Sequence, residues 1–202
     1  MIEEILTITG FTCSGKTTLQ RVLRNFGYES VVSHTTRKPR PNEVDGKDYY
    51  FVDDLVFLEN REQFIEMVTF NGTLYGIHSS EIPRLVDVGA KRIAIVAEPS
   101  GVKQIRLWCS LNNISCKSVF LTIDTHTLYR RFLQRFVDTL LVTTDNSAAV
   151  LNTYASRLAT ILEERGWLID ASMFQEISCG DKTPLEIADY ISKSISDICY
   201  DY

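Results

Sequence analysis

A glycine-rich turn between an apolar run and an amphipathic segment constrains the fold of this chain more than any other feature. The turn, Gly10-Phe11-Thr12-Cys13-Ser14-Gly15-Lys16-Thr17, matches the phosphate-loop pattern G-x-x-x-x-G-K-[ST] at every position. The apolar run at 5–8 predicts a strand before it, and apolar residues at helical spacing over 19–26 predict a helix after it. A strand, this loop and a helix in succession indicate an α/β fold that binds a nucleoside triphosphate.

The residue types of this loop suit a bound polyphosphate. Glycine at positions 10 and 15 lets backbone N–H groups approach the phosphates without an intervening Cβ. The Lys16 ammonium can reach the β- and γ-phosphates, and the Thr17 hydroxyl is suited to ligate Mg²⁺. The residues predicted to bind the triphosphate are Gly10, Thr12, Cys13, Ser14, Gly15, Lys16, Thr17 and Thr18.

Length and composition indicate one globular domain. The chain has 202 residues, 45% of them apolar, which is enough to bury a hydrophobic core. Its 21 basic and 26 acidic residues give a net charge of −5, which argues against a general nucleic-acid-binding surface. Five scattered cysteines without a C-x-x-C pair favour reduced thiols. Residues 1–4 lack the features of a secretion signal and no apolar run has the length of a membrane span, so we expect a soluble, cytoplasmic protein.

The segment 33–89 is predicted to be rich in short strands, unlike the strand, loop and helix that precede it. Its first part, 33–41, is polar, basic and broken by two prolines, which exclude a helix. Farther on, Asn71-Gly72 lies between two apolar runs and predicts a β-hairpin. Strands are predicted over 48–52, 64–70 and 73–75, and helices over 54–60 and about 80–89.

An alternation of strands and helices returns after residue 90. Strands are predicted over 93–96, 119–123 and 174–177, and helices from Ser100, over 125–135, over about 151–165 and from Thr183. The stretch 136–150 has neither helical nor alternating periodicity and stays unassigned. We therefore expect a three-layer α/β core with a parallel sheet, formed by about 1–32, 90–124 and 166–202. A strand-rich insertion over about 33–89 and a helical excursion over about 125–165 extend from it.

The basic segment and its surroundings contain several motifs in succession. They are Ser33-His34-Thr35-Thr36-Arg37, Pro39-Arg40, the run Glu43 to Val52, Phe64-Ile65-Glu66, Asn71-Gly72 and Tyr75-Gly76. Together with the phosphate loop, these motifs resemble the guanylate kinase family. The resemblance extends from about residue 5 to 103 and thins beyond. It implies a P-loop nucleoside monophosphate kinase that transfers the γ-phosphoryl group of Mg-ATP to GMP or dGMP. The strand-rich insertion would then bind the monophosphate, and the helical excursion would be a lid.

The resemblance also assigns roles to individual residues of the acceptor site. Arg37, Arg40, Tyr49 and Tyr75 match the positions that clamp the acceptor phosphate, where guanidinium groups give bidentate, permanently charged contacts. Ser33, Glu66 and Glu98 match the positions that contact the guanine edge. Carboxylates suit that task because guanine presents N1–H and its 2-amino group as adjacent donors, whereas adenine does not.

Three arginines in the predicted lid resemble the family's lid arginines. Arg131 and Arg135 are one helical turn apart and can face one ligand together, and Arg157 follows later. With Lys16 and Arg37, they would neutralise the charge that develops on the transferring phosphoryl group. A solvated basic helix face remains the alternative interpretation of this part.

The sequence departs from the family pattern at several positions. Ile77 stands where a guanine-contacting Ser or Thr is usual, and Val96-Ala97-Glu98 replaces an Asp-x-Asp strand end. The stretch between Arg135 and Arg157 is longer and more apolar than usual, and Ser178-Cys179-Gly180-Asp181 replaces an Asn-containing turn. The changes at Ile77 and Glu98 predict a loosened or retuned guanine selectivity. The missing Asp removes a group that could ligate a metal ion through water.

Three alternatives to a GMP kinase stay open at this point. The acceptor could be another or a modified nucleoside monophosphate, as Ile77 and Glu98 suggest. The chain could be a non-catalytic guanylate-kinase-like binding module, although its phosphate loop is intact. A kinase acting on polynucleotide ends is disfavoured by the acidic net charge.

Overall fold

The computed structural model describes residues 1–39, 43–70, 72–142, 147–164, 171–180 and 182–194. Arg40, Asn71 and Asp181, which the sequence assigned to the acceptor clamp, the hairpin and a C-terminal turn, lie outside the described residues. The described strands are β1 (Glu4–Gly10), β2 (Tyr28–Ser30), β3 (His34–Thr35), β4 (Tyr50–Phe51), β5 (Phe64–Phe70), β6 (Thr73–His78), β7 (Arg92–Val96), β8 (Ser115–Thr122) and β9 (Gln175–Ser178). The described helices are α1 (Lys16–Leu23), α2 (Asp54–Glu59), α3 (Glu81–Asp87), α4 (Pro99–Leu111), α5 (Thr125–Val142), α6 (Ser147–Glu164) and α7 (Pro184–Ser194).

Five strands form a parallel sheet in the order β2-β7-β1-β8-β9. In the centre of this sheet, Ile5 of β1 lies opposite Ile93 of β7 and Cys116 of β8. Side chains alternate between the two faces of a strand, and both faces here are covered, which explains the nearly continuous apolar runs in the sequence. Among the described helices, none combines the length and the apolar character needed to cross a bilayer.

Two helical layers cover the parallel sheet. On one face, Leu19 and Leu23 of α1 and Ile187 and Ile191 of α7 pack against Leu6 and its neighbours in the sheet. On the other face, α3 and α4 pack through a second apolar cluster, whose buried members include Leu85, Ile105 and Cys109. The predicted three-layer α/β fold class is confirmed.

A second sheet, in the order β4-β3-β6-β5, lies within the strand-rich segment. β5 and β6 form the predicted antiparallel hairpin, and Gly72 in its turn has φ +71°, which favours glycine. The side chain of Gln104 on α4 accepts a hydrogen bond from the Met67 N–H (3.1 Å) and donates one to the Met67 carbonyl (2.9 Å). This sheet is therefore docked on the core through the backbone of β5.

α5 and α6 form a helical hairpin, which is called the lid hairpin here because it comprises the segment predicted to be a lid. Its interior contains Leu128 and Phe132 of α5 and Tyr154 and Ile161 of α6. α5 continues to residue 142, beyond its predicted end at residue 135. The extra turns have apolar residues on both sides, since Leu140 faces the cluster while Leu141 is 78% exposed. That two-sided apolar character removed the periodicity by which a helix is usually recognised.

Candidate active site

A cleft of about 760 Å³ opens at the carboxyl ends of the parallel strands. It is bounded by the phosphate loop, the second sheet and the lid hairpin. This edge of an open α/β sheet is where such folds bind ligands. The predicted site residues that line it are Gly10, Thr12, Cys13, Ser14, Gly15, Lys16, Thr17, Thr18, Ser33, Arg37, Tyr49, Glu66, Tyr75, Glu98, Arg131, Arg135 and Arg157. Every predicted site residue except Arg40, which is not described, is thus in one cleft.

The phosphate loop connects β1 to α1 in a conformation that two glycines make possible. Gly10 ends β1 so close to β8 that a Cβ on it would lie 2.6 Å from the Leu121 carbonyl oxygen. Gly15 precedes the first residue of α1 with φ +100°, in the region that favours glycine. The Ser14 hydroxyl is buried and has no hydrogen-bond partner among the described residues. An unpaired buried donor in this loop fits a bound anion.

The Lys16 ammonium lies against the loop itself. It donates to the carbonyls of Gly10 (2.7 Å) and Phe11 (3.0 Å). Burial lowers the pKa of Lys16, while the charges of Glu164 and Glu98 oppose that shift. The ammonium is therefore held inside the loop by the loop's own backbone carbonyls.

Arg37 also lines the cleft and is enclosed by polar and aromatic groups. Its guanidinium donates to Glu43 (2.9 Å) and lies 5.4 Å from the centre of the Tyr49 ring. Burial lowers the pKa of Arg37, but the Glu43 carboxylate and Tyr75 more than offset this, so that the net pKa is raised. Its Nε is buried and has no partner among the described residues. The guanidinium stays charged and can therefore still donate hydrogen bonds to an anionic ligand.

Two carboxyl groups, that of the buried Glu66 and that of the half-buried Glu98, line the cleft together with the loop and Arg37. Burial, with a further contribution from the Glu98 charge, raises the pKa of Glu66 to about 8. Burial and the Glu164 charge raise the pKa of Glu98 to about 7, against the effect of Lys16. Glu66 lies against Gly101 of α4, where an added Cβ would be 2.5 Å from its Oε1. Both carboxyl groups line the same cleft as Ser33.

Ile77, which departs from the family pattern, does not line the cleft. It is opposite Glu66 in the β5–β6 pair, is 1% exposed and belongs to the core cluster beneath the sheet. An aliphatic side chain is therefore accommodated here by packing.

The three predicted lid arginines come from both helices of the lid hairpin. Arg131 donates to the carbonyls of Cys13 and Cys179, each at 3.2 Å, and so contacts the phosphate loop directly. Arg135 and Arg157 line the cleft farther out, and the Arg157 guanidinium lies 5.1 Å from the Tyr154 ring centre. All three cations border the space between the loop and the second sheet.

Comparison with known proteins agrees with this geometry. The family model described as guanylate kinase matches residues 4–167. This chain belongs to the guanylate kinase family. It is 32% identical over 142 residues to a guanylate kinase of Lactobacillus johnsonii, a match covering 66% of each chain. It is also 46% identical over 88 residues to a guanylate kinase of Chlamydia trachomatis serovar D, covering 41% of this chain and 43% of the relative. Among solved structures it resembles the guanylate kinase of Anaplasma phagocytophilum in fold, with a TM-score of 0.60, 22% identity and coverage of 95% of this chain and 82% of the other.

Glu164 also lines the cleft, although it was not predicted from the sequence. It ends α6 and is 4% exposed. Its Oε1 accepts a hydrogen bond from the Thr12 hydroxyl (2.7 Å), and its Oε2 accepts one from the Thr12 N–H (2.5 Å). The available signal was its spacing of seven residues from Arg157, which places both on one helix face two turns apart.

The described side chains of the cleft offer few ligands to a metal ion, which fits an Mg²⁺ ion bound mainly by the phosphates of a nucleotide. Thr17 lines the cleft beside Lys16, and no group of three or more His, Cys, Asp or Glu side chains within the described ranges is arranged to hold a metal. Mg²⁺ at nucleotide sites keeps several waters and uses few protein ligands together with substrate phosphates. One hydroxyl at the start of α1 matches that requirement.

Proposed function

We propose that this protein is an ATP-dependent guanylate kinase, which transfers the γ-phosphoryl group of Mg-ATP to GMP or dGMP and releases ADP and GDP or dGDP. One observation carries the proposal. A single cleft contains a phosphate loop, the charged Arg37, and the carboxyl groups of the buried Glu66 and the half-buried Glu98. A triphosphate donor and a purine monophosphate acceptor could therefore lie end to end. The match spans 66% of the Lactobacillus johnsonii relative and 43% of the Chlamydia trachomatis relative.

The donor phosphates would bind to the loop from Gly10 to Thr18. Backbone N–H groups of the loop would donate to the phosphates, and the positive end of the α1 dipole would attract them. The Lys16 ammonium would leave the Gly10 and Phe11 carbonyls and donate to the phosphates instead. Thr17 would ligate Mg²⁺, which neutralises charge on the β- and γ-phosphates when bound. The unpaired Ser14 hydroxyl supports this assignment.

The acceptor phosphate would bind at Arg37, together with Arg40, Tyr49 and Tyr75. Arg37 is held in place by Glu43 and the Tyr49 ring, so little side-chain freedom is lost when a phosphate binds. Its buried, unpaired Nε supports a role in binding an anion. Tyr49 and Tyr75 would add neutral hydroxyl donors.

The guanine edge would bind at Glu66, Glu98 and Ser33. An ionised Glu66 offers two acceptor oxygens to N1–H and the 2-amino group of guanine. Adenine, which lacks both donors, would leave a buried carboxylate unpaired, a cost of about 1–3 kcal/mol or more. The burial of Glu66 is what makes the discrimination strong.

Arg131, Arg135 and Arg157 would stabilise the charge that spreads over the phosphoryl group during transfer. Phosphoryl transfer depends mainly on positioning and electrostatics, so excluding water from the cleft should be part of turnover. In this proposal residues 33–89 are the monophosphate-binding part and residues 125–165 are the lid, around a core of about 1–32, 90–124 and 166–202. We place the enzyme in the cytoplasm, where ATP and nucleoside monophosphates are available.

A panel of acceptors tests the proposal. Purified protein with Mg-ATP is assayed against GMP, dGMP, AMP, CMP, UMP and dTMP, alongside Lys16→Ala and the exposed control Lys103→Ala. We expect GMP or dGMP to be preferred by at least 100-fold in kcat/KM, with Lys16→Ala inactive and Lys103→Ala active. A preference for another base would support the retuned-acceptor alternative. Unchanged activity in Lys16→Ala would exclude a role of the loop in catalysis.

A further inference from the structure

The contact between Glu164 and Thr12 joins two parts of the chain that are 152 residues apart. Both donors of Thr12, its N–H and its hydroxyl, are directed at one carboxylate, and each takes a separate oxygen. Hydrogen bonds to an ionised acceptor are about twice as strong as neutral ones. Glu164 is 4% exposed and Thr12 is half-buried, so water has limited access to the carboxylate that they share.

A second contact from the lid hairpin reaches the next residue of the loop. Arg131 of α5 donates to the carbonyl of Cys13 at 3.2 Å. Cys13 has φ +66°, a left-handed conformation that a non-glycine residue adopts only when its surroundings enforce it. The hairpin thus holds residues 12 and 13 from both sides, α6 through Thr12 and α5 through Cys13.

We propose that Glu164 is a positioning residue for the phosphate loop, which fixes Thr12 and thereby couples the conformation of the loop to the lid hairpin. It touches neither substrate. Its carboxylate keeps the N–H and hydroxyl of Thr12 turned toward α6, so that the loop is preorganised before the donor arrives. Its charge also opposes the lowering of the Lys16 pKa by burial and so favours the protonated ammonium. This proposal rests on the proposed function, because the Kd and the KM values that test it assume that ATP binds to the loop.

Loss of the Glu164 carboxylate charge should weaken the binding of ATP but not that of GMP. Both hydrogen bonds to Thr12 become weaker, so part of the free energy of ATP binding is spent on ordering the loop. The acceptor residues Arg37 and Glu66 have no contact with Thr12 or Glu164 among the hydrogen bonds of the described residues. Glu164→Gln should therefore raise the Kd and the KM for ATP about tenfold and leave the KM for GMP within about twofold of wild type.

A double-mutant cycle separates positioning from general damage. Binding of ATP, without an acceptor, is measured by calorimetry for wild type, Glu164→Gln, Thr12→Val and the double variant. The matched control is Glu163→Gln, which removes the same charge from the exposed neighbouring position. We expect both single variants to bind ATP more weakly and the double variant to be no worse than Glu164→Gln, because the same link is lost. Thr12→Ser, which keeps the hydroxyl, should recover most of the affinity lost in Thr12→Val.

Several outcomes would overturn the proposal. ATP binding by Glu164→Gln as tight as that of Glu163→Gln would show that the link does not position the loop. Tighter ATP binding would show that the carboxylate competes with phosphate instead. Additive effects of the two single variants, or an equal rise in the KM for GMP, would indicate independent or general damage. Because ATP binding is measured without GMP, a failure of the guanylate kinase assignment leaves this result interpretable.

Discussion

The buried Glu66 side chain should lower the stability of the nucleotide-free protein as the pH rises. Its pKa is about 8 in the folded chain, against an ordinary value of 4.5, mainly because of burial. Between these two values the folded state binds more protons than the unfolded state, so stability falls with rising pH. Replacing Glu66 by Gln removes this titration while keeping the size of the side chain.

The magnitude follows from the two pKa values. One pKa unit corresponds to about 1.36 kcal/mol, so the advantage of Glu66→Gln over wild type should grow by about 2.5 kcal/mol between pH 5 and pH 7. For a chain of this length that corresponds to a relative gain in Tm of roughly 5–10 °C. Above about pH 8 the advantage should stop growing, since the folded-state carboxyl is then ionised too.

The assay is thermal unfolding of wild type and Glu66→Gln at intervals from pH 5 to pH 9, without nucleotides. Glu62→Gln is the matched control, because Glu62 is exposed and lies near the start of the same strand. Its Tm difference from wild type should stay nearly constant over this range. If the difference for Glu66→Gln were also independent of pH, or fell as the pH rose, Glu66 would not be a buried group that resists ionisation.

Three further predictions concern the acceptor wall and the last helix. Binding of GMP should release protons near pH 7, because guanine donors select the ionised form of Glu66; calorimetry in buffers of different ionisation enthalpy measures this, and no proton exchange would contradict it. Gly101→Ala should raise the KM for GMP about tenfold with little change in the KM for ATP, since its Cβ would lie 2.5 Å from the Glu66 Oε1; equal effects on both would contradict the assignment. Thr183→Ala should lower the Tm by roughly 2–4 °C without affecting kinetics, because Thr183 and Glu186 form a capping box at the start of α7; a change in kcat would contradict a purely structural role.

The parts of the fold that were predictable have strong local patterns. The phosphate loop requires Gly, Lys and Thr at fixed positions, so its pattern identifies both its conformation and its ligand class. The β5–β6 hairpin is specified by apolar runs on both sides of Asn71-Gly72. The parallel strands are continuous apolar runs because both their faces are buried. Each of these features depends on residues that are close together in the sequence.

The parts that were not predictable depend on distant contacts. The bonds between Glu164 and Thr12 form only when the end of α6 reaches the phosphate loop, and a glutamate at a helix end is usually solvated. The anchoring of Arg131 on the Cys13 and Cys179 carbonyls is of the same kind, because arginine spacing alone does not distinguish a ligand contact from a backbone contact. The burial of Ile77 depends on which face of β6 meets the core.

The most direct test of the central claim follows the phosphoryl group itself. The protein is incubated with Mg-ATP labelled at the γ-phosphate and with GMP, and the nucleotides are separated. The guanylate kinase assignment predicts that the label appears in GDP and that ADP and GDP form in equal amounts. Labelled free phosphate with no GDP, or label transferred equally well to AMP, would contradict it.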